Sequence, residues 1–555
     1  MEDSATHALL RMGTTMPAES FNASVFLVDR LVETGHGDRI AVAGPMGTMT
    51  YAQLAAHVAE LAGGLRVMGV RPEERVLLVL PDRPETLITI LAVLRMGAVA
   101  VPVSTLYDGA ELGDLIRDSR ARVVVSAPEF EPAVQEALLS APEVVVLVLT
   151  DASRQGPGPG HVPRTVTATG AGPSAAVETG VPVCLWSDLL EAGRGATGPY
   201  DTWPDSPALW LHTSGTTGAP KAVMHRHGAL RDVHEAYGRQ VLGIRPEDRC
   251  LSVAPLSSAY GLGNSMIFPL AEGATTILDP ARPAPGGVVE RVLEERPTLF
   301  FAGPSFYAAL LAAQAPADAF ASVRLAVSAG EALPPELHRR LTDRFGVDVI
   351  DGLGSAESLH IFVSNRPGRA RPAGSGTVVP GYEVRLLDDS GAPVPDGEPG
   401  HLYVRGDSIA TGYWCRASAT RQAFQGEWLR TGDTCARDAD GSYRYLGRAD
   451  DLIRAGGVRV SPMEAESRLL EHASVAECAM IAHVGADGLE KPVACVVPAP
   501  GRPIDAEELI AFCGEGPSAL ERPREVLVLD ELPKTATGKI QRVVLRRLAA
   551  DLLGK

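Results

Sequence analysis

The chain has 555 residues, more than one hydrophobic core usually organises, so the sequence predicts at least two domains. Its 45% hydrophobic, 21% charged and 5% aromatic residues exclude a fibrous or disordered protein. The formal net charge of -17 argues against nonspecific nucleic-acid binding and favours small molecules as partners.

The N-terminal residues and the most apolar segment predict neither export nor a membrane span. Glu2 and Asp3 stand where a signal peptide carries positive charge. The stretch TLITILAVLRMGAVAVPV at 86–103 is interrupted by Arg95 and Gly97, so it predicts a buried helix that runs into a buried strand. The seven cysteines form no CxxC pair, which suggests neither a disulfide framework nor a zinc ribbon. We therefore expect a cytoplasmic protein with reduced thiols.

Short Val, Ile and Leu runs alternate with helix-length segments along the chain. Examples are RVLLVL at 75–80 and the runs at 123–125 and 325–327. This rhythm is typical of α/β layers and predicts parallel sheet. Between about 152 and 180, Gly, Pro, Ser and Thr dominate; they cannot supply a core and predict a mobile surface loop.

A strand pair is predicted at 433–447, with Asp440 and Gly441 as its hairpin turn. The next residues, RADDLIRAGG, change in character toward charge and glycine. A hinge at this point leaves a C-terminal domain of about a hundred residues, within the usual domain range. The fold class predicted for the chain is α/β, in a multidomain α+β arrangement.

The stretch LHTSGTTGAPKAVMHRHGAL at 211–230 places hydroxyls and glycines ahead of one cation. Glycines let backbone amides approach a ligand, hydroxyls add donors and lysine adds charge, which together predict a cradle for phosphates. An ordinary P-loop is excluded, because Pro220 precedes the lysine and Ala222 follows it. The predicted phosphate contacts are Thr213, Ser214, Gly215, Thr216, Thr217 and Lys221.

Four further motifs follow in order: SAGEALP (328–334), DGLGSAES (351–358), EWLRTGDTCARDADGSYRYLGRADDLIRAGGVRVSPMEAE (427–466) and PKTATGKIQR (533–542). With these motifs the chain resembles the adenylate-forming superfamily of acyl-CoA synthetases, nonribosomal adenylation domains and luciferases over nearly its whole length. The resemblance implies a large N-terminal domain of β-sheets with packed helices (1–449), a small mobile C-terminal lid (450–555) and a hinge at Asp450. ATP would bind between the two domains.

The chemistry of that superfamily joins two anions, a carboxylate and ATP, so charge must be neutralised and the reactants aligned. The resemblance implies that the cradle holds the β- and γ-phosphates and that Glu357 supports Mg²⁺, which prefers hard oxygen ligands. Lys539 would reach from the lid to the α-phosphate and the carboxylate oxygens. For the nucleoside, the resemblance implies that Asp433 accepts hydrogen bonds from the ribose hydroxyls and that Arg448 contacts the ribose or phosphate. The residues implied at the border of the adenine are Gly330, Glu331 and Asp351.

Several of these residues have a plain structural alternative when taken alone. Asp433 would close a turn, Arg448 would form a surface ion pair and Lys539 would be a solvated lysine. The ordered set of motifs favours the functional interpretation. For the second half-reaction, rotation about Asp450 would withdraw Lys539 and bring in RAGGVRV, where Gly457 lies beside the path of a pantetheine arm; a static turn is the alternative.

APLSSAYGLGNSMIFPL (254–270) and GSAESLHIFVSN (354–365) resemble the benzoate-CoA ligase branch. The resemblance implies a flat, mostly apolar acid slot with His360 near the carboxylate; as the alternative, Tyr260 and His360 are core residues. Two serines, 257 and 258, stand where bulkier aromatic residues are expected, so hydroxy-, amino- or chlorobenzoates and heteroaryl acids remain open. The implied slot residues are Ala259, Tyr260, Gly354, His360 and Ile361.

One departure from the superfamily pattern concerns the residue before Glu357. Ala356 occupies the position of a threonine whose hydroxyl helps to bind the α-phosphate. Losing such a donor costs two to three orders of magnitude in rate, roughly 3 to 4 kcal/mol. Ser355 and Ser358 are the candidates to compensate.

The leading hypothesis is an ATP- and Mg²⁺-dependent ligase that makes an aryl adenylate and then an aryl-CoA thioester, with AMP and pyrophosphate released. Its partners would be an aromatic acid and coenzyme A, and the chain would be a monomer or homodimer. The first alternative is a stand-alone acyl-AMP ligase that loads a carrier protein. The second, motivated by Ala356, is a catalytically weak nucleotide-binding relative.

Overall fold

The structure, a computed structural model, describes residues 20–151, 179–195, 198–213, 220–313, 315–371, 374–455, 458–484, 490–514, 522–534 and 540–553. The predicted loop at 152–180 lies almost entirely outside these residues. Within them, no helix combines the length and the apolar character that a bilayer crossing needs.

The strands, in chain order, are β1 (Ile40–Ala43), β2 (Met49–Thr50), β3 (Arg75–Val79), β4 (Val99–Pro102), β5 (Val123–Ser126), β6 (Val146–Leu149), β7 (Val183–Leu185), β8 (Pro207–Thr213), β9 (Lys221–Arg226), β10 (Arg249–Ser252), β11 (Thr275–Ile277), β12 (Leu299–Ala302), β13 (Leu325–Ala329), β14 (Val349–Gly354), β15 (Ile361–Ser364), β16 (Thr377–Val378), β17 (Tyr382–Leu387), β18 (Gly400–Gly406), β19 (Gly412–Tyr413), β20 (Phe424–Gln425), β21 (Trp428–Arg437), β22 (Tyr443–Arg448), β23 (Ile453–Ala455), β24 (Val458–Val460), β25 (Val475–Val484), β26 (Glu490–Pro498) and β27 (Glu525–Val528).

The α-helices are α1 (Arg30–Glu33), α2 (Tyr51–Val67), α3 (Pro84–Arg95), α4 (Gly109–Ser119), α5 (Glu131–Leu138), α6 (Trp186–Ala192), α7 (His227–Val233), α8 (Ala259–Leu262), α9 (Phe268–Glu272), α10 (Pro285–Glu295), α11 (Pro304–Ala312), α12 (Pro335–Phe345), α13 (Ala417–Ala423), α14 (Pro462–Leu470), α15 (Ala506–Gly514) and α16 (Arg542–Leu553). Short π-helical turns cover Val25–Asp29, His234–Gly238 and Gly263–Ile267, and a 3₁₀ turn covers Pro128–Phe130.

A first sheet has the strand order β19-β9-β8-β4-β3-β5-β6-β7. Strands β3 to β8 of this sheet pair in parallel, as the alternation of apolar runs predicted. The segment 86–103 forms α3 followed by β4, which confirms the predicted helix and buried strand. Both elements are apolar almost throughout, because helices cover both faces of a parallel sheet.

A second sheet has the order β16-β15-β14-β13-β12-β10-β11-β1-β2. Its middle strands, from β14 across to β1, are parallel, and antiparallel strands close it at both ends. In open parallel sheets, ligands bind beyond the carboxyl ends of the strands. The predicted adenine motifs lie at the carboxyl ends of β13 and β14 of this sheet, and the acid motifs at those of β10 and β14. The predicted phosphate motif lies at the carboxyl end of β8 in the first sheet.

An antiparallel sheet joins β17, β18, β21 and β20, with β22 paired to β21. The predicted hairpin is confirmed: Gly441 has a φ of +85°, which glycine adopts without strain, and Ser442 donates its backbone N–H to Asp440 Oδ1 at 3.0 Å. The hairpin sets Asp433 and Arg448 opposite each other.

The C-terminal segment builds its own core. Helices α14 and α15 pack on one face of the β25-β26-β27 sheet around Leu469 and Leu509, while α16 packs on the other face through Leu545. This small α+β unit beside a large sheet-rich unit agrees with the predicted fold class. The boundary at residue 450 remains a prediction.

Candidate active site

The predicted phosphate cradle begins on the β8–β9 hairpin. Thr213, the last residue of β8, pairs in register with Lys221, the first residue of β9. Because β8 is an interior strand of its sheet, its carboxyl end is held rigidly at the ligand edge. The other cradle predictions lie outside the described residues: Ser214, Gly215, Thr216 and Thr217.

A tyrosine of β19 links two of the predicted catalytic residues. Lys221 Nζ lies 5.2 Å from the centroid of the Tyr413 ring, and the Tyr413 hydroxyl donates a 2.8 Å hydrogen bond to Glu357 Oε1. Burial and the neighbouring Glu357 carboxylate both raise the pKa of Tyr413 well above its usual value, so the hydroxyl stays protonated and acts as a donor. Lys221 and Glu357 therefore contact different parts of one tyrosine side chain, Lys221 the ring and Glu357 the hydroxyl.

The main chain around Glu357 is held from two directions. Ala410 donates its backbone N–H to the Glu357 carbonyl at 2.8 Å. His225 Nε2 lies 2.8 Å from the Ala356 carbonyl oxygen, and burial lowers the pKa of His225 to about 4. The imidazole is therefore neutral near pH 7, and Nε2 carries the proton because a carbonyl only accepts.

The two serines predicted to compensate for Ala356 differ in their environment. Ser358 is fully buried, and its hydroxyl donates to the His360 carbonyl at 2.7 Å. Ser355 is partly exposed, with its Oγ 3.2 Å from the Ser358 backbone nitrogen, which donates to it. Of the pair, Ser355 is the one that reaches the surface of the site.

The predicted ribose residues form an ion pair. Arg448 Nη1 donates to Asp433 Oδ1 at 3.0 Å and to the Thr431 carbonyl at 3.0 Å. Burial raises the pKa of Asp433, although Arg448 opposes the shift. A Cβ at Gly432 would lie 3.0 Å from Arg448 Nη2, and this residue has a φ of +79°, so glycine is required between the partners.

The predicted adenine residues follow neighbouring strands. Gly330 comes directly after β13, and Asp351 of β14 pairs in register with Ser328. The Ser328 hydroxyl and Asp351 Oδ1 are buried without a hydrogen-bond partner, and burial raises the pKa of Asp351 to about 7. Glu331 accepts a 3.2 Å hydrogen bond from Ser305 Oγ.

His360 lies in the middle of an aromatic stack. Its ring centroid is 5.4 Å from that of Tyr260 and 5.1 Å from that of Tyr237, and Phe268 meets it edge-on at 4.7 Å. Burial lowers its pKa to about 3, so the ring is neutral, and Nε2 contacts Asn264 Oδ1 at 3.1 Å. This imidazole therefore supplies shape and dipole rather than positive charge.

The predicted slot residues divide into two layers. Ala259, Tyr260 and Gly354 are partly exposed, whereas His360 and Ile361 are buried behind them. A Cβ at Gly354 would lie only 2.4 Å from the His360 carbonyl oxygen, so this position needs glycine. The layering is consistent with a flat surface against which a ring packs, and the contact of His360 with the acid's carboxylate remains a prediction.

Three residues beside these sites were missed by the sequence reasoning. Asn264 belongs to the quoted AYGLGN run and lies one helical turn after Tyr260, a spacing that was available as a signal. Tyr237 and Tyr413 carried no such signal, because their places depend on pairings between distant segments.

Asp82, at the carboxyl end of β3, anchors the loop that leads into α8. Its Oδ1 accepts the backbone N–H of Leu256 at 3.0 Å, and burial raises its pKa from 3.8 to about 7. A raised folded-state pKa means that the stability contributed by the neutral carboxyl is present below pH 3.8 and is lost as pH rises through about 7.

We expect Asp82→Asn to raise the midpoint of thermal unfolding at pH 8 and to raise it less at pH 5, because asparagine keeps an acceptor for Leu256 without a buried charge. Scanning calorimetry at the two pH values checks this. Asp114→Asn on the exposed face of α4 is the control and should show no pH-dependent difference. Equal increases in the unfolding midpoint of Asp82→Asn at the two pH values would contradict the raised pKa of Asp82.

On the C-terminal side, two predictions lie outside the described residues: Lys539 and Gly457. The predicted hinge residue Asp450 is described. Its carbonyl accepts a 3.1 Å hydrogen bond from Arg546 Nη2 of α16, and the same guanidinium pairs with Asp451.

The AMP-binding enzyme family profile matches residues 30–414, and the profile of the AMP-binding enzyme C-terminal domain matches residues 464–539. A 4-hydroxybenzoate–CoA/benzoate–CoA ligase of Rhodopseudomonas palustris is 38% identical over 539 residues, which covers 96% of this chain and 95% of that protein.

Two solved structures are similar over most of the chain. A benzoate CoA ligase from Burkholderia xenovorans LB400 gives a TM-score of 0.84 at 38% identity, covering 95% of this chain and 100% of that one. The anthranilate CoA ligase AuaEII, solved in complex with anthranoyl-AMP, gives a TM-score of 0.86 at 36% identity, covering 96% of this chain and 98% of that one.

Proposed function

Because the chain belongs to the family of AMP-binding enzymes, we propose that it activates an aromatic carboxylic acid with ATP and transfers the acyl group to coenzyme A. The products are an aryl-CoA thioester, AMP and pyrophosphate. The observation that carries this proposal is the convergence around Tyr413 of four residues from three separate motifs, Lys221, Glu357, Asp433 and Arg448.

The acid slot and the charged residues around Tyr413 are proposed to bind different parts of the reactants. Tyr260 and Gly354 offer an apolar surface to the ring, and the neutral His360 behind them adds no charge. The anionic ends of the acid and of ATP must therefore be neutralised by lysines and a cation. Relatives named for benzoate, hydroxybenzoate and anthranilate support an aromatic acid as the substrate class.

The nucleoside end of ATP is proposed to lie against the edge formed after β13 and β14. Asp351 lies at this edge in register with Ser328, and the resemblance assigns the adenine to Asp351 together with Gly330 and Glu331. Asp433 Oδ1 accepts a hydrogen bond from Arg448, and the second carboxylate oxygen would accept hydrogen bonds from the ribose hydroxyls. Arg448 is proposed to contact the ribose or a phosphate of ATP.

The residues around Glu357 fit a magnesium ion. The Tyr413 hydroxyl donates to Oε1, and no side chain among the described residues hydrogen-bonds Oε2, which leaves one hard oxygen for a cation. Mg²⁺ is usually held by one or two carboxylates together with substrate phosphates, and a single glutamate meets that pattern. When bound, the ion stabilises charge on the phosphate oxygens and on the leaving pyrophosphate.

The remaining residues are assigned by the resemblance. Lys221 and the cradle from Thr213 onward hold the β- and γ-phosphates, and Lys539 brings positive charge to the attacking carboxylate and the α-phosphate. Gly457 lies along the pantetheine path once the C-terminal unit has turned about Asp450. These roles remain proposals, and the substitution of Lys539 described in the Discussion tests one of them.

The proposal is tested with the purified full-length protein, ATP, Mg²⁺ and a panel of aromatic acids that includes benzoate, its hydroxy, amino and chloro derivatives, and heteroaryl acids. Pyrophosphate and aryl-CoA are measured with CoA present, and acylated carrier protein is measured with a carrier instead. We expect pyrophosphate and an aryl-CoA thioester from at least one acid, and no turnover of a straight-chain fatty acid.

The negative outcomes of that experiment are distinct. Pyrophosphate without a CoA thioester would replace the proposal with a ligase that loads a carrier protein. Nucleotide binding without pyrophosphate for every acid would identify the catalytically weak relative that Ala356 suggested.

A further inference from the structure

We propose that Tyr413 is a positioning residue that orients the Glu357 carboxylate toward Mg²⁺ and keeps it apart from the Lys221 ammonium. The inference rests on the proposed function, because it assumes that Glu357 and Lys221 serve the magnesium and the phosphates of ATP. Its basis is the 2.8 Å hydrogen bond to Glu357 Oε1 and the 5.2 Å stacking of Lys221 Nζ on the same ring.

The Glu357 side chain needs such an anchor. Its main chain is fixed by Ala410 and, through the preceding carbonyl, by His225. The side-chain torsions are not fixed by these contacts, and holding a glutamate in one rotamer costs conformational entropy. Among the described residues, the Tyr413 hydroxyl is the group that hydrogen-bonds this carboxylate.

Tyr413 is itself held rigidly by the large N-terminal unit. Its strand pairs with β9 at Val223, its backbone N–H donates to Thr420 Oγ1 at 3.1 Å, and its ring meets Phe424 edge-on at a centroid distance of 5.4 Å. The hydroxyl therefore occupies a defined point without help from the C-terminal unit. Such support of a metal-binding carboxylate is usually worth 10- to 100-fold in affinity or activity.

The ring also separates two opposite charges. Lys221 and Glu357 approach the same tyrosine, yet the ion pairs of the described residues include no contact between them. A direct pair would neutralise both groups before ATP arrived. Because Lys221 contacts the ring and Glu357 the hydroxyl, the ammonium gains a cation–π contact and stays available to phosphate, while the carboxylate stays available to the metal.

The test compares two substitutions at this position by calorimetric titration of ATP into full-length protein at a series of Mg²⁺ concentrations. Tyr413→Phe keeps the ring and loses the hydroxyl, so we expect the Mg²⁺ concentration for half-maximal ATP affinity to rise about tenfold, with Mg²⁺-free ATP binding unchanged. Tyr413→Leu also removes the spacer, so we expect Mg²⁺-free ATP binding to weaken as well.

Tyr51→Phe is the matched control. It removes a buried hydroxyl that donates to the Ala274 carbonyl at 2.7 Å in the core, so it should lower the thermal unfolding midpoint without changing the Mg²⁺ dependence. An unchanged Mg²⁺ dependence in Tyr413→Phe would overturn the inference. If the wild-type protein binds ATP with Mg²⁺ but makes no pyrophosphate, only the proposed function is overturned. If it does not bind ATP with Mg²⁺, both the proposed function and the inference about Tyr413 are overturned.

Discussion

Replacing Lys539 with alanine is expected to slow acyl-adenylate formation by about 10²- to 10³-fold, the usual cost of removing one group aimed at charge that develops in the transition state. Pyrophosphate release in the presence of ATP and the preferred aromatic acid measures this step. The same variant should convert a chemically prepared aryl adenylate and CoA into thioester at the wild-type rate within about twofold, because Lys539 is proposed to have left the site by then.

Lys534 provides a control within the same PKTATGKIQR motif. Its Nζ pairs with Glu477 at 2.7 Å on the surface of the C-terminal unit, and surface pairs of this kind contribute only about 0 to 1 kcal/mol. Lys534→Ala should therefore leave both half-reactions intact. Adenylation at the wild-type rate in Lys539→Ala would mean that Lys539 does not bring positive charge to the carboxylate and the α-phosphate, and the proposed mechanism would be wrong.

Features set by neighbouring residues were predictable from the sequence. The apolar run at 86–103 predicted α3 and β4, because its interruption by Arg95 and Gly97 marks a helix end before a strand. The Asp440-Gly441 dipeptide predicted the β21–β22 hairpin, because a left-handed turn residue was required there. The hairpin in turn brings together Asp433 and Arg448, the two residues that the resemblance assigned to the same end of the nucleotide.

Features set by distant pairings were not predictable. Leu256 donates to Asp82 across 174 residues of sequence, so no local pattern marks this carboxyl as the anchor of the acid loop. Tyr413 reaches Glu357 only because β19 adds to the edge of β9, in a sheet whose order mixes early and late strands. Motifs identified the residues proposed to contact the reactants, whereas the residues that orient those side chains could be found only from the three-dimensional pairing of distant segments.

The effect of Ala356 on the rate of adenylation also depends on the residues that hold its loop in place. Its carbonyl is held by the neutral His225, so the backbone at this position is fixed and a larger side chain would project from a defined point. Ser358 is committed to the His360 carbonyl, which leaves the partly exposed Ser355 as the nearby hydroxyl. Ser355 lies at a different position in the loop from Ala356. We therefore expect its hydroxyl to replace only in part the hydroxyl that a threonine at position 356 would supply.

Ala356→Thr is accordingly expected to raise the rate of adenylation by about 10²-fold, close to the lower end of what one transition-state donor contributes. Ala356→Val is the matched control, since valine has the shape of threonine without its hydroxyl; it should give no acceleration. Single-turnover pyrophosphate release with saturating ATP and acid isolates the step. Equal rates for Ala356→Thr and the wild type would show that Ser355 or the backbone already supplies the donor, and that the alanine carries no catalytic cost.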